Sequence, residues 1–191
     1  MQTVLIWASN VFVFSSYLVY EWGIVKGKIK PHRTTRLVLA IIIVMGFLAV
    51  LKQDNPAVAW FLGICAVQSV VVLFMSIKKG MGGWAKTDIF CLVIAALGII
   101  LWRVTNNPAL ALYASVTADA FGMIPTLIKT YRFPDTEFWL ATAFDLSAIT
   151  LTLFAVRNGG FNEYLYPSYL FVVETLVFIF ILRPKLVHKT N

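Results

Sequence analysis

The placement of positive charge between apolar stretches constrains this chain more than any motif in it. Seven long apolar stretches follow one another, near residues 4–24, 35–51, 56–77, 86–103, 108–129, 138–156 and 164–183. Of the 16 Lys and Arg residues, 13 fall in alternate gaps. Lys26, Lys28, Lys30, Arg33 and Arg36 follow the first stretch, and Lys78, Lys79 and Lys86 the third. Lys129 and Arg132 follow the fifth, and Arg183, Lys185 and Lys189 lie in the tail. The intervening gaps hold only Lys52, Arg103 and Arg157. Cationic loops resist translocation, so the alternation predicts an N-terminus outside, a C-terminus inside and an odd number of crossings. A helix of roughly 20 apolar residues crosses the ~30 Å hydrocarbon layer, and little chain is left between the stretches for a soluble domain. The predicted class is an all-α polytopic membrane protein with seven transmembrane helices.

Composition agrees: 60% of residues are apolar and 13% charged, outside the range of soluble domains. The net charge of +7 is then a matter of topology, with attraction to anionic lipid headgroups as its by-product and no nucleic-acid role implied. Six tryptophans support the same map. Trp7, Trp60 and Trp102 fall at expected outer ends, and Trp22, Trp84 and Trp139 at inner ends, where indole prefers the headgroup boundary. Cys65 and Cys91 fall inside the third and fourth stretches and read as packing residues rather than a disulfide framework. The start of the chain lacks a basic region, so its first stretch reads as a retained span rather than a removable signal. Very short loops point to a prokaryotic cell (inner) membrane.

The first three stretches resemble the last three. Setting residue n against n+103 aligns 17–36 with 120–139, so Lys26 meets Lys129 and Pro31 meets Pro134. Further on, Gln68 meets Glu174 at an offset of 106. The odd fourth stretch gives both triplets one orientation, which is a parallel repeat about an axis along the membrane normal. The expected organisation is a first three-helix bundle (1–81), a linker helix (82–104), and a second bundle with a short cytoplasmic tail (105–191). From Ile89 to Leu101 the linker has only the weak Cys91 thiol as a polar group.

The run Gly122-Met-Ile-Pro125-Thr126-Leu-Ile-Lys129, followed by Pro134, resembles the motif of the SWEET and PQ-loop superfamily. Vitamin carriers of the PnuC type are a second resemblance with the same 3+1+3 plan. The superfamily has a Pro-Gln pair near the inner end of the first helix of each triplet, followed by a basic residue. Thr126 replaces that Gln here, and Trp22 occupies the repeat position of Pro125. The resemblance implies small-solute transport by rocking of two three-helix bundles, with Pro125, Gly122 and Pro134 as candidate hinge residues.

Three acids fall near mid-span: Asp119, Asp145 and Glu174. An ionised, unpaired acid there costs roughly 2.5–3.5 kcal/mol on insertion scales, so each must be protonated, hydrogen-bonded, wet or paired with a cation. Ser115, Asp119, Gly122 and Thr126 recur at spacings of four, three and four, on one face of the fifth helix. Thr142, Asp145 and Thr152 make a polar face on the sixth, and Asn10 shares a face with Tyr17 and Glu21 on the first. Gln68 matches Glu174 by repeat. Asp119, Asp145, Glu174, Gln68, Ser115 and Asn10 are therefore candidates for a solute or proton site. Helix-to-helix hydrogen bonding without transport is the competing role for the same side chains.

His32 and His188 both lie in inner segments, which argues against a metal site, a haem ligand or a Ser/His/Asp nucleophile. No cofactor and no enzymatic activity are expected. The expected function is transport of a sugar-like, vitamin-like or cationic solute, with proton coupling as an option. The alternative is a non-transporting receptor or assembly protein that binds peptide or lipid cargo. Expected partners are the solute and the bilayer, and the sequence leaves room for a homo-oligomer.

Overall fold

The computed structural model describes residues 2–50, 56–83, 85–104, 108–156 and 160–187. Among these residues the chain is helical throughout, with seven α-helices and no strand. They are α1 (Gln2–Val25), α2 (Arg33–Val50), α3 (Pro56–Lys79), α4 (Lys86–Val104), α5 (Pro108–Arg132), α6 (Trp139–Ala155) and α7 (Phe161–Val187). Each coincides with one apolar stretch to within four residues at either end. A one-turn 3-10 helix, Pro134–Thr136, joins α5 to α6.

The helix ends have local causes. Gly27 adopts φ 71°, and the N–H groups of Gly27 and Lys28 donate to the carbonyls of Ile24 and Gly23. That is a Schellman close, which favours a glycine at the left-handed residue. At the start of α4, Asp88 Oδ2 accepts from the N–H groups of Gly83 (2.9 Å) and Ala85 (3.2 Å). Pro108 opens α5, where its missing N–H costs nothing.

Large apolar side chains cover much of the exposed surface, while the buried positions mix apolar residues such as Ile24, Val38 and Val72 with hydroxyls. On α1 the exposed residues include Val4, Trp7, Val11, Phe14, Leu18, Trp22 and Val25, a continuous apolar stripe. The buried ones include Ser9 and Ser16. Elsewhere Ser69, Ser76, Thr35, Thr126, Thr130 and Asp119 are buried, while Phe74, Phe90, Leu97, Phe154 and Ile179 are exposed. Hydroxyls on such helices return to their own backbone: Ser15 to Val11, Thr117 to Tyr113, Ser147 to Ala143 and Thr150 to Leu146. This internal bonding frees the side chain from any need for water.

Two helical segments, Thr3–Val25 and Tyr164–Pro184, are long and apolar enough to cross a membrane. The second is only 17% buried and lies far from the N-terminus. Trp7, Trp22 and Trp139 are exposed, whereas the side chains of Trp60, Trp84 and Trp102 lie outside the described residues. Cys65 and Cys91 are buried free thiols.

By contact the chain forms two compact units. One comprises residues 1–29 and 127–191; the other is the continuous segment 30–126. In the first, α1 packs along α6 and α6 along α7. In the second, α2 packs against α3 and α4, and the body of α5 against α2. These units cut across the chain-order bundles 1–81 and 105–191, because α1 and α5 each join the later helices of the other triplet.

Candidate functional site

The α1–α6 seam is built from small residues and hydroxyls. Ser9 Oγ donates to the Ala148 carbonyl at 2.9 Å and is 2.8 Å from Thr152 Oγ1. Ser16 Oγ donates to the Ala141 carbonyl at 3.1 Å. Phe12 and Phe144 fill the space between, with ring centroids 5.9 Å apart. Asp145 stands on α6 between Ala141 and Ala148, the residues whose carbonyls receive those bonds, and is half-buried. Asn10 on α1 and Glu174 on α7 are half-buried in the same unit.

The α5–α2 seam is tighter. Ala118 and Val38 form a buried cluster with Ile42 and Leu92 against it. A Cβ built on Gly122 would lie 2.7 Å from Val38 Cγ1, so the two backbones approach as closely as glycine permits. One turn on, Thr126 Oγ1 donates to Thr35 Oγ1 at 2.8 Å. Asp119, next to Ala118, is 1% exposed. Replacing Thr126 by Val should cost about 0.6 kcal/mol, the average for a hydroxyl bond between membrane helices. Unfolding in detergent of Thr35→Val, Thr126→Val and the double variant checks this, with coupling close to the single-variant loss.

The two seams correspond under the 103-residue offset. Ser16 maps to Asp119, Ala141 maps to Val38, and Asp145 maps to Ile42. Each seam therefore has one carboxyl on its polar line, contributed by α6 in one unit and α5 in the other. Asp119, Asp145 and Glu174 all engage in further polar or electrostatic interactions. Gln68 is half-buried on α3. The side chain of Ser115 lies outside the described residues. Among the hinge candidates, Pro125 is buried within α5, and Pro134 opens the 3-10 turn.

Other polar groups escaped sequence reasoning. Lys129 Nζ donates to Glu137 Oε1 in an ion pair whose side chains are 3% and 6% exposed. The sequence presents Lys129 as a topological cation and as the basic residue of the family-like motif, not as half of an ion pair; Pro134 between the partners is the signal that the chain turns back. His32 Nε2 lies 3.6 Å from Asp88 Oδ1, and both residues are buried. The backbone locks this turn, with Met81 N–H donating to Pro31 O and Arg33 N–H to Met81 O. Arg33 Nη1 adds a bond to Gly82 O. No group of three or more metal-ligating side chains occurs among the described residues.

Compared with protein-family profiles, curated proteins and solved structures, the chain matches none.

Proposed function

We propose that this chain is a multi-pass membrane protein that carries a small polar solute across the bilayer. In this reading seven helices cross in 3+1+3 order, with the N-terminus outside and the C-terminus inside a cell membrane. The exposed apolar stripe on α1 supports immersion, since apolar surface of this extent calls for an apolar covering. The plan resembles SWEET and PQ-loop carriers.

The observation that carries the transport reading is where the chain changes unit. Helix α5 belongs to the unit 30–126 up to Thr126 and to the other unit from Leu127 onward. Pro125 immediately precedes that change, and a proline inside a helix removes one backbone bond and weakens it there. The other passage, Ile29 to Lys30, is followed by Pro31. In this reading the chain bends at Pro125 and at the turn before Pro31. In the unit 30–126 Asp119 and Gln68, and in the other unit Asp145 and Glu174, are the side chains proposed to engage the solute or a coupling proton. Acids select a cationic or hydrogen-bonding solute over an anion.

A second reading, a receptor or assembly protein without transport, is favoured by the 1% exposure of Asp119 in a seam bonded by hydroxyls. Uptake into proteoliposomes separates the two. A panel of sugars, vitamins and organic amines should include one taken up by the wild type. Asp119→Asn and Asp145→Asn should abolish that uptake while eluting as folded protein. Flux that persists unchanged in both variants removes the carrier mechanism.

A further inference from the structure

We infer that the turn closing α1 binds the phosphate of an acidic phospholipid through Lys26 and Lys28. The inference rests on the reading of α1 as a membrane span. It begins with the Schellman close at Gly27, which stops the helix and sends the chain back over its last turn. Ile29 then packs onto Gly23, where a Cβ would lie 2.8 Å from Ile29 Cγ1, and Ile29 is fully buried. With Ile29 anchored inward, Lys26 and Lys28 are left exposed on either side of Gly27. Lys28 Nζ is held 4.8 Å from the Trp22 ring centroid and 5.7 Å from that of Phe138. A cation held over a ring keeps outward N–H donors and has already lost part of its rotamer freedom, which lowers the cost of engaging an anion.

The repeat shows that this charge is left open. Lys129, at the position of Lys26, is buried against Glu137; the counterpart of Glu137 is Thr34, which has no charge. Among the described residues no carboxylate pairs with Lys26 or Lys28. The surface beside the turn decides the source of the anion. Trp22 is 46%, Leu18 49% and Val25 58% exposed, so an apolar surface continues from the ring that the Lys28 ammonium covers. A free phosphate has no use for that surface. A phospholipid fits both parts, with its headgroup on the lysines and its acyl chains along α1.

The test uses the full chain in neutral detergent, titrated with phosphatidylglycerol and followed by thermal unfolding, with phosphatidylcholine as the uncharged control. Lys26→Gln/Lys28→Gln should weaken the apparent affinity for phosphatidylglycerol about tenfold or more. Lys78→Gln/Lys79→Gln, which removes the same charge from the end of α3, should leave it within about twofold of wild type. Lys28→Arg, which keeps both the charge and the ring contact, should preserve it and controls for loss of fold. Equal weakening by the two double variants would overturn the site in favour of diffuse attraction. Equal protection by inorganic phosphate would overturn the lipid assignment. Failure of the underlying span reading shows separately, as release of wild-type chain from vesicles by alkaline carbonate.

Discussion

Replacing Glu137 by Ala is expected to cost about 3–5 kcal/mol of stability, the range for removing one partner of a buried ion pair. The Lys129 ammonium is 3% exposed and its carboxylate partner 6%, so neither regains water when the other is lost. Lys129 keeps its other interactions but loses its charge-assisted bond to Glu137. The opposite outcome is expected when both charges go. Lys129→Met/Glu137→Leu should be near neutral or more stable than wild type, because desolvating two ions offsets most of their attraction. Denaturant unfolding of the two variants in one detergent provides the check. A loss below about 1 kcal/mol for Glu137→Ala would place the pair in the range of solvated surface bridges.

The second large effect is expected at Gly122. Substitution by Ala puts a methyl 2.7 Å from Val38 Cγ1 and 3.1 Å from Val38 Cβ. Val38 is β-branched and 1% exposed, so it has one good rotamer and no room to turn away. Overpacking of this kind costs about 1–3 kcal/mol, offset in part by the better helix propensity of alanine. Gly122→Leu adds three more carbons at the same point and should yield no folded monomer by size exclusion. Val38→Ala introduced together with Gly122→Ala should recover more than half of the single-variant loss. Failure of that rescue would mean that the glycine matters for its backbone rather than for the α2 contact.

The helices themselves were legible because an apolar run of this length has one stable form in lipid, and each run became a helix. The face from Asp119 through Gly122 to Thr126 was also legible from its spacing, and α2 packs on it. What the sequence did not carry was partner choice. Ser9 and Ser16 look like ordinary small residues on α1, and nothing in their spacing selects α6 over α2. The pairing depends on carbonyls of Ala141 and Ala148, which no side chain advertises. The Lys129–Glu137 and His32–Asp88 pairs were hidden for a related reason. Lys129 served the topological pattern equally well as a solvated residue and the other three gave no signal of pairing, and only the turns at Pro134 and at Pro31–Met81 bring the partners together. The acids stand out in sequence by their position along the apolar runs; their division between the two units does not.

Because the unit 30–126 is continuous, its helices follow one another directly in synthesis. Helix α1 has no such luck. Its partner α6 follows more than a hundred residues later, so its Ser9 and Ser16 hydroxyls wait through most of synthesis before Ala148 and Ala141 arrive. A ribosome adding roughly 5–20 residues per second leaves that first helix solitary for seconds. This interval is when an insertase or a membrane chaperone would have its longest hold on the nascent chain.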